Sequence, residues 1–560
     1  MSVTFPDELS LADYFLFDRI TEGKGDKIAL RFGDRSWTYA EVADRSRALA
    51  RYLVDAGLKP EQRVYIVLPD LPPFAWGIFG ILAAGGVLTM GNNIAPTDDL
   101  RYVLAYVKAA VLITTPTVAA NLVPFAGELP NLTTILVVPD AATGEDPEAE
   151  LPVSAIPTCA TLRCEPLARA IARGRDSRAA LPRIKRDDPA IWLFTSGSTG
   201  RSKAAMHSHR DFAFNTEVFA KGTVGYRESD VCVSVPRLFF GYATGTNLWF
   251  PFAVGATVGL FSERPTAESV ASAIARYRPT IVTNVPTMLG KLLDLDDEHR
   301  GKGEPGLDLS CVRFHLSAGE ALPEPLLRRF VDRFGGEVYD GIGSAEMFHI
   351  YCSNRPGDVK PGSLGRVVDG YELRILPEDA DGAGAAPLPP GEIGVLWVKG
   401  DSVAHGYFQD RDKSWKTFHG HWCRTGDLFS IDADGYLWFQ GRADDLFKVG
   451  GIFVAPREVE DCLLGHPAVS VVAVIPAEDQ GLTKPKALVE LRPDARDRIA
   501  SPEGRRALVA ELKAHVQGRL SKHKYPRWVA FLDDLPKNDR GKVDKKTLIE
   551  REKRGELGGE

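Results

Sequence analysis

The chain has 560 residues, of which 44% are hydrophobic and 26% charged, and its formal net charge is −7 at pH 7. This length allows roughly three or four domain-sized units with substantial hydrophobic cores. Lys and Arg are dispersed rather than clustered, which argues against a nucleic-acid or anionic-membrane surface and predicts small-molecule partners.

The cysteines and the apolar segments indicate the compartment. Seven cysteines are widely spaced, with no C-x-x-C pair and no histidine cluster at zinc spacing, so free thiols in a reducing cytoplasm are expected. The N-terminus has no signal-peptide pattern. The longest apolar stretch, roughly 74–90, contains seven glycines and alanines and predicts a buried helix–strand junction rather than a membrane span.

The N-terminal third predicts alternating helices and strands. Helical patterning around 12–19 and 39–56 flanks a hairpin-like segment at 28–39, and strands are predicted at 63–68, 111–115 and 134–139. This alternation indicates a βαβ architecture with a mostly parallel sheet. Residues 141–187 break the rhythm and are predicted to be a surface excursion, with one helix at 166–173 and no chemistry.

A loop rich in glycine and hydroxyl side chains follows an apolar strand at 190–194. The loop consists of Thr195, Ser196, Gly197, Ser198, Thr199 and Gly200, with Lys203 three residues further on. The glycines let the backbone approach an anion, and the hydroxyls and the ammonium supply donors and positive charge. The segment therefore predicts a phosphate-binding loop, although its spacing differs from the G-x-x-x-x-G-K-[ST] P-loop.

The alternation resumes after this loop. A helix is predicted near 211–221, strands at 231–235, 256–261, 281–284, 312–316, 337–339 and 394–399, and a Gly/Pro-rich loop at 378–391. A smaller pattern follows, with strands at 469–475, 485–491 and 528–531 and a helix near 504–520. We therefore predict two domains, 1–443 and 444–560.

Four further segments place chemistry-bearing side chains beside glycines. Residues 339–346 (Y-D-G-I-G-S-A-E) present Glu346, and residues 422–427 (W-C-R-T-G-D) end on Asp427. Residues 441–451 read G-R-A-D-D-L-F-K-V-G-G, and residues 535–543 (L-P-K-N-D-R-G-K-V) place Lys542 after a glycine. Each segment taken alone also fits a structural turn or a solvated loop.

In this order and spacing, the phosphate-binding loop and these segments resemble the adenylate-forming superfamily of acyl-CoA synthetases, peptide-synthetase adenylation domains and luciferases. The resemblance covers roughly residues 10–550. It implies an α/β fold in which a large N-terminal domain has two sheet-and-helix subdomains and a small β-barrel. A small mobile α+β lid would follow, with its hinge at Asp444.

The resemblance also implies the roles of individual residues. Lys542, Glu346 and Lys448 would be catalytic: Lys542 would bridge the carboxylate and the α-phosphate, and Glu346 would bind Mg²⁺. Asp427 would accept both ribose hydroxyls. The implied ATP site comprises Thr195, Ser196, Gly197, Ser198, Thr199, Gly200, Lys203, Gly319, Glu320, Asp340, Gly341, Ile342, Asp427 and Arg442.

Two positions depart from the superfamily pattern. Ile342 stands where many members have an aromatic ring against the adenine, and Ala345 replaces a threonine whose hydroxyl meets a phosphate oxygen. Loss of one neutral hydrogen bond costs about 1 kcal/mol. We therefore expect weaker nucleotide binding but not its loss.

Within the superfamily, residues 340–350 (D-G-I-G-S-A-E-M-F-H-I), 353–357 (S-N-R-P-G) and 524–528 (K-Y-P-R-W) resemble the benzoate-CoA ligase group. The resemblance places the acyl pocket at Phe240, Gly241, Tyr242, Asn284, Ser317, Ala318, Gly343, His349 and Ile350. These side chains suit a planar aryl carboxylate, and His349 would bond or tolerate a ring substituent. Benzoate, hydroxybenzoates, aminobenzoates and cyclic aliphatic acids remain alternatives, because a methylene-sized difference changes selectivity by only about 1–3 kcal/mol.

The implied reaction forms an acyl-adenylate from MgATP and then a thioester with coenzyme A, so Mg²⁺, ATP and coenzyme A are the expected cofactor and co-substrates. Gly450 and Gly451 would leave room for the pantetheine arm after the lid rotates. A carrier-protein acceptor and a nonenzymatic nucleotide sensor remain alternatives, and either a monomer or a homodimer is possible.

Other enzyme classes are less well supported. The string His207-x-x-x-Asp211 suggests an acyltransferase, but no glycine follows it, and no G-x-S-x-G elbow of a serine hydrolase is present. An amino-acid adenylation domain would carry an acidic residue just after its aromatic segment, and residues 237–245 (R-L-F-F-G-Y-A-T-G) have none.

Overall fold

The structure is a computed structural model that describes residues 3–196, 202–320, 322–442, 447–449, 452–479, 482–537 and 543–560. The chain forms two compact units. The first comprises Met1–Leu322, Leu326–Leu373 and Trp397–Arg424, and the second comprises Pro323–Pro325, Arg374–Leu396 and Thr425–Glu560. The predicted domain boundary at 443/444 lies outside the described residues and stays a prediction.

The strands follow one another along the whole chain. They are β1 (Ile28–Phe32), β2 (Arg35–Thr38), β3 (Arg63–Val67), β4 (Val87–Met90), β5 (Val111–Thr114), β6 (Thr134–Val137), β7 (Arg163–Pro166), β8 (Pro189–Ser196), β9 (Ser202–Ser208), β10 (Val231–Ser234), β11 (Thr257–Leu260), β12 (Ile281–Asn284), β13 (Phe314–Ser317), β14 (Glu337–Gly343), β15 (Ile350–Ser353), β16 (Arg366–Val367), β17 (Glu372–Leu376), β18 (Gly394–Lys399), β19 (Phe418–His419), β20 (Trp422–Ile431), β21 (Leu437–Arg442), β22 (Phe447–Val449), β23 (Ile452–Val454), β24 (Val469–Asp479), β25 (Leu482–Leu491) and β26 (Trp528–Phe531).

Helices alternate with these strands. They are α1 (Asp18–Thr21), α2 (Tyr39–Asp55), α3 (Pro72–Ala83), α4 (Thr97–Val107), α5 (Pro116–Leu122), α6 (Leu167–Asp176), α7 (His209–Asn215), α8 (Gly241–Thr244), α9 (Phe250–Val254), α10 (Ala267–Tyr277), α11 (Pro286–Gly301), α12 (Glu324–Phe334), α13 (Arg411–Thr417), α14 (Pro456–Leu464), α15 (Pro502–Gln517) and α16 (Lys545–Lys553). Three short π-helical segments adjoin these helices. Asp13–Phe17 leads into α1, Thr216–Val224 follows α7, and Gly245–Trp249 lies between α8 and α9.

A seven-stranded sheet in the first unit has the strand order β7-β6-β5-β3-β4-β8-β9. Its pairs are parallel except β8 with β9, which is antiparallel. The parallel strands β3 to β6 are almost entirely buried, as expected for a sheet covered by helices on its faces. The alternation of strands and helices in the sequence predicted this arrangement.

A nine-stranded sheet in the same unit has the order β16-β15-β14-β13-β12-β10-β11-β1-β2. Its six central strands, from β14 to β1, are parallel, and antiparallel strands complete both edges. Because the carboxyl ends of adjacent parallel strands meet at one edge of a sheet, the ends of β12, β13 and β14 bring their last side chains together.

The second unit contains its own small core. Strands β24 and β25 are antiparallel, β26 joins β25 in parallel, and α14 and α16 pack against β24. A separate five-stranded sheet, formed by strands between Glu372 and Arg442, has the order β17-β18-β20-β19, with β21 paired to β20. The small β-barrel implied by the resemblance had no predicted bounds and stays a prediction.

Two expectations about local structure were wrong. The sequence predicted a helix near 211–221 as the next element after the phosphate-binding loop, but the strand β9 comes first and pairs antiparallel with β8. Residues 141–187 were expected to contain one helix only, yet Arg163–Pro166 forms the edge strand β7. Edge strands are short and tolerate proline, so this strand carries little sequence signal.

Two composition-based expectations can be compared with the structure. All seven cysteines are free thiols. Within the described residues, no helix combines the length and the apolar character needed to cross a membrane. The apolar stretch at 74–90 forms most of α3 and all of β4, as predicted.

Candidate active site

The β8–β9 hairpin carries the two ends of the predicted phosphate-binding loop. Thr195 pairs with Lys203 and Ser196 with Ser202, so both ends of the loop are held by backbone hydrogen bonds. The predicted residues Gly197, Ser198, Thr199 and Gly200 lie outside the described residues, as does the side chain of Ser196.

Lys203 is mostly buried and is paired with a carboxylate. Its Nζ lies 3.0 Å from Oδ2 of Asp410, and only 14% of the Lys203 side chain is exposed. The other oxygen of Asp410 accepts a hydrogen bond from the backbone N–H of Lys413 and thereby caps α13. The ammonium of Lys203 is therefore paired with a carboxylate whose own position is fixed by a helix.

Residues 404–408 run alongside β9. The backbone N–H of Met206 donates to the carbonyl of Gly406 over 2.9 Å, and that of Phe408 donates to Ala204 over 2.9 Å. These bonds place the Tyr407 hydroxyl 2.7 Å from Oε1 of Glu346, to which it donates, while Lys203 Nζ lies 5.9 Å from the centre of the Tyr407 ring. The structure therefore brings Lys203 and Glu346 together around one tyrosine.

The surroundings of Glu346 are buried enough to change the ionisation of their neighbours. Burial, with the charge of Glu346, raises the pKa of Tyr407 far above its ordinary value, so its hydroxyl remains a donor. Burial and Glu346 also raise the pKa of the Cys423 thiol. Tyr407 and Cys423 therefore remain uncharged beside Glu346.

Glu346 and His349 lie at the two ends of one tight turn. Residues Ala345–Met347 form a 3₁₀ turn, after which Phe348 has φ +67° and the His349 N–H donates to the Met347 carbonyl over 2.9 Å. Such a γ-turn is strained in a residue with a side chain, and strained backbone is concentrated at functional sites. The Phe348 ring packs on Phe212, with centroids 3.7 Å apart, which helps to hold the turn.

The aromatic segment predicted for the acyl pocket packs against this turn. The His349 ring is fully buried and its Nε2 lies 3.0 Å from the carbonyl oxygen of Tyr242, so Nε2 carries the proton and donates. Burial lowers the pKa of His349 to about 3, which keeps the ring neutral. A Cβ on Gly241 would lie 3.2 Å from Leu193 of β8, so the segment also lies against the strand that leads into the phosphate-binding loop.

The ends of β12, β13 and β14 place three predicted residues in one row. Asn284 pairs with Ser317, and Ser317 pairs with Asp340 and donates to its Oδ1 over 2.7 Å. Asn284 Nδ2 lies 2.9 Å from Nδ1 of the buried His315. The predicted nucleotide and acyl residues of these strands are therefore neighbours.

Several buried polar atoms near the predicted acyl pocket have no hydrogen-bond partner within the described part of the chain. They are the Tyr242 hydroxyl, Asn284 Oδ1, Ser344 Oγ and His349 Nδ1. Buried polar groups are nearly always satisfied, and exceptions often mark places where a ligand or water bonds. This set is consistent with a pocket that binds a molecule having its own polar groups.

The remaining predicted residues of the first unit have mixed roles. Gly319 has φ +89°, which only glycine adopts readily, and Glu320 accepts a hydrogen bond from Thr287 at the surface. Gly341 and Gly343 leave no room for a side chain, because a Cβ would lie 2.8 Å and 2.5 Å from the facing backbone oxygens of β15 and its preceding turn. Packing therefore explains these two glycines without a ligand.

The other members of the predicted pocket and nucleotide set occupy the same strand ends. They are Phe240 before α8, Ala318 after β13, Ile342 in β14 and Ile350 at the start of β15.

In the second unit, Asp427 and Arg442 face each other in register across β20 and β21. The side chain of Arg442 lies outside the described residues, and so do the side chain of Lys448 and all of Asp444, Gly450, Gly451 and Lys542. The roles assigned to these residues stay predictions.

The residues present fit a magnesium ion bound mainly through a nucleotide. Mg²⁺ in such enzymes takes one or two protein carboxylates and several phosphate or water oxygens. Glu346 supplies one carboxylate, of which only Oε1 is hydrogen-bonded within the described residues. Over the same residues, no group of three or more His, Cys, Asp or Glu side chains could hold a metal ion.

Two residues of this site were missed from the sequence. Tyr407 and Asp410 lie in a connecting segment before α13 whose sequence carries no motif. They reach β9 because residues 404–408 hydrogen-bond to it. No local sequence signal indicates this contact, because about 200 residues separate the two segments.

The fold and this site define a nucleotide-dependent enzyme with two mostly parallel sheets and a smaller C-terminal unit. The sequence matches the AMP-binding enzyme family over residues 17–408 and the AMP-binding enzyme C-terminal domain over 458–542. The chain belongs to the AMP-binding enzyme family.

Similar proteins include aryl-CoA ligases. The chain is 37% identical to benzoate–CoA ligase of Thauera aromatica, with 97% of this chain and 96% of that protein aligned. It is 36% identical to 4-hydroxybenzoate–CoA/benzoate–CoA ligase of Rhodopseudomonas palustris, with 97% and 95% aligned. The predicted membership of the adenylate-forming superfamily, with its resemblance to the benzoate–CoA ligase group, is confirmed.

Solved structures support the same fold. The crystal structure of a benzoate CoA ligase from Burkholderia xenovorans LB400 has a TM-score of 0.80 and 34% identity, covering 96% of this chain and 99% of that one. The anthranilate CoA ligase AuaEII in complex with anthranoyl-AMP has a TM-score of 0.86 and 33% identity, covering 98% of both chains. The predicted α/β fold, with a large N-terminal and a small C-terminal part, is confirmed.

Proposed function

We propose that this chain is an AMP-forming acid–thiol ligase that activates a benzoate-type aryl carboxylate and transfers the acyl group to coenzyme A. One observation carries the proposal: a single tight turn holds the candidate metal carboxylate, Glu346, three residues from His349 of the aromatic segment. A carboxylic acid seated beside His349 would have the phosphate-binding hairpin and Glu346 within reach of its carboxylate.

The first half-reaction joins the acid to AMP. A carboxylate oxygen of the acid attacks the α-phosphorus of ATP, the bond from that phosphorus to the bridging oxygen breaks, and pyrophosphate leaves. Because an anion approaches a polyanion, fixed positive charge and hydrogen-bond donors are needed there. Lys203 and the loop hydroxyls supply them, and we assign Lys542 to the bridging position between the carboxylate and the α-phosphate. Mg²⁺ held through Glu346 would neutralise further phosphate charge.

The second half-reaction makes the thioester. The sulfur of coenzyme A, having lost its proton to solvent or a base, attacks the acyl carbon, and AMP leaves with the electron pair of the broken C–O bond. We assign the ribose to Asp427 and Arg442, and the pantetheine path to Gly450 and Gly451. Rotation of the C-terminal lid about Asp444 would exchange Lys542 for the 447–451 segment, in which Lys448 is the further catalytic candidate.

The aromatic nature of the substrate follows from the pocket side chains and from the relatives. Tyr242 and Phe250 surround the neutral His349 ring, with ring centroids 5.5 Å and 4.7 Å away. Relatives from Thauera aromatica and Rhodopseudomonas palustris are named for benzoate and hydroxybenzoate. We place the reaction in the cytoplasm, in keeping with seven free thiols.

The test separates the two half-reactions. Wild-type protein with ATP, Mg²⁺ and an aryl acid, but without coenzyme A, is expected to release pyrophosphate and retain an aryl adenylate detectable by mass spectrometry. Addition of coenzyme A should then release AMP and the thioester in equal amounts. Lys542→Ala should nearly abolish the first step yet convert supplied aryl adenylate to thioester; equal loss of both steps would make Lys542 structural.

A further inference from the structure

His207 and Asp211 form a buried pair beside the site. Both side chains are almost completely inaccessible, and Nδ1 of His207 lies 2.9 Å from Oδ2 of Asp211. On the other side of the ring, Nε2 lies 2.7 Å from the carbonyl oxygen of Ala345. The H-x-x-x-D string that suggested an acyltransferase is therefore a real contact, but it is directed at the turn that carries Glu346.

Contacts on both sides of the ring hold His207 in place. The Asp211 carboxylate already accepts hydrogen bonds from the backbone N–H and the hydroxyl of Ser208, over 3.1 Å and 2.7 Å. It is therefore an acceptor towards Nδ1 as well, and the Ala345 carbonyl can only accept from Nε2. Both ring nitrogens of His207 are therefore engaged within the protein, Nδ1 with Asp211 and Nε2 with Ala345.

The Ala345–Glu346 peptide segment is held at successive points. His207 bonds the Ala345 carbonyl, the N–H of Ala404 donates to the Glu346 carbonyl over 2.8 Å, and Tyr407 donates to the Glu346 carboxylate. On β9, His207 and Lys203 are four residues apart and so point to the same face of the strand. One strand thus carries both the phosphate-binding ammonium and the anchor of the Glu346 turn.

We propose that His207, held in place by Asp211, is a positioning residue that fixes the Ala345 carbonyl and thereby sets Glu346 for magnesium–nucleotide binding. This inference rests on the proposed function. It also gives position 345 a part in the site: Ala345 has no hydroxyl to offer a phosphate, and its backbone carbonyl is used to anchor the turn instead.

The test compares substitutions at two adjacent buried histidines. His207→Leu removes both hydrogen bonds, whereas His207→Gln keeps an amide N–H that can reach the Ala345 carbonyl. His209→Leu is the matched control, because His209 is equally buried in the same segment and instead accepts a hydrogen bond from the N–H of Leu11. For each variant, MgATP affinity is measured by calorimetry without acid, and kcat and KM of adenylation are measured with an aryl acid.

We expect His207→Leu to weaken MgATP binding about tenfold and to lower kcat by about tenfold to a hundredfold, the range that small misplacements of catalytic groups produce. The KM for the acid should not change. His207→Gln should recover most of the loss, and His209→Leu should lower only the unfolding temperature.

Opposite results would overturn the inference. If His207→Leu binds MgATP as tightly as the wild type and only loses stability, as His209→Leu does, His207 is merely structural. If His207→Gln is no better than His207→Leu, the bond to Ala345 is not the operative one. Should the wild type adenylate no acid at all, weaker MgATP binding by His207→Leu would still uphold the inference while the proposed function fails.

Discussion

The hydroxyl of Tyr407 donates a 2.7 Å hydrogen bond to the carboxylate of Glu346. Because burial and the Glu346 charge raise the pKa of Tyr407, this donor persists at every pH at which the protein works. Among the residues that the structure describes, only Oε1 of Glu346 is hydrogen-bonded, so we expect Oε2 to be the oxygen that faces a cation. Preorganisation of this kind is what an electrostatic site requires before its ligand arrives.

Removing this hydroxyl should weaken nucleotide binding selectively. A hydrogen bond to a charged group contributes about 1.5–3 kcal/mol, so we expect Tyr407→Phe to raise the dissociation constant of MgATP by about tenfold or more. The acid KM should be unchanged. Calorimetry with MgATP measures the effect, and Tyr226→Phe, which loses a bond to the Thr246 carbonyl, is the control. Equal nucleotide affinity in wild type and Tyr407→Phe would contradict the role given to Tyr407.

The Lys203–Asp410 ion pair must open for Lys203 to bind phosphate. Asp410→Asn keeps the cap on α13, since asparagine is an equally good N-cap, but removes the competing charge. We expect the ATP KM to fall by about twofold to fivefold, with a change in unfolding free energy below about 1 kcal/mol because the pair is partly exposed. Lys203→Met should instead lower adenylation by about 10² to 10³. Weaker ATP binding by Asp410→Asn would show that Asp410 holds Lys203 in its active position.

A methyl group at Gly245 should disturb the acyl pocket alone. A Cβ there would lie 2.4 Å from Cδ2 and 2.5 Å from Nε2 of His349, so the ring must move and lose its bond to Tyr242. We expect Gly245→Ala to raise the aryl-acid KM about tenfold or more, to leave MgATP affinity unchanged, and to cost about 1–3 kcal/mol of stability.

Gly301→Ala provides the matched control for that substitution. Gly301 ends α11, and a Cβ there would meet no atom within 4 Å. Steady-state kinetics on both variants should show the acid KM changed in Gly245→Ala only. An unchanged acid KM in Gly245→Ala would remove His349 from the pocket.

Three buried histidines should make the first unit sensitive to acid. Burial lowers the pKa of His209, His315 and His349 to about 3, whereas the unfolded chain takes up these protons near pH 6.5. The unfolded state therefore binds more protons between these values. Stability is fully present above about pH 6.5 and is lost as the pH falls towards 3, by up to ~1.4 kcal/mol per pH unit for each histidine.

Urea unfolding from pH 4.5 to 7.5, followed by the fluorescence of buried tryptophans such as Trp76 and Trp249, measures this dependence. In the acidic half of this range, His209→Gln should reduce the slope of unfolding free energy against pH by up to ~1.4 kcal/mol per pH unit, which corresponds to one bound proton. Coincident slopes for wild type and His209→Gln would refute the assignment of a neutral buried His209.

Much of the fold could be predicted from the sequence, because its strands are short apolar runs separated by segments with helical periodicity. Strands β12, β18 and β26 have the predicted bounds, and β3, β5 and β10 differ by one residue. β9 was missed because Ser202–Ser208 contains no β-branched or aromatic residue and begins within a motif that resembled a loop. Its strand conformation comes from pairing with β8 rather than from local preference.

The candidate site was predictable only where motifs mark it. Lys203, Glu346 and His349 lie in segments whose residue types indicate their chemistry, and the structure brings them to one region of the first unit. Tyr407 and Asp410 contribute through contacts between segments far apart in the chain, which no periodicity or spacing in the sequence indicates. His207 was noted in the sequence only within an H-x-x-x-D string, which was set aside as an acyltransferase motif because no glycine follows it. Its contact with the Ala345 carbonyl was not predicted.

The most direct test of the central claim is AMP formation from ATP and Mg²⁺ by the purified protein. It should be measured across a panel of aryl, cyclic and short aliphatic acids, with and without coenzyme A. We expect AMP release that depends on coenzyme A and on at least one aryl acid, matched by an equal amount of aryl-CoA. Pyrophosphate release that never proceeds to a coenzyme A thioester, or no turnover with any acid, would contradict it.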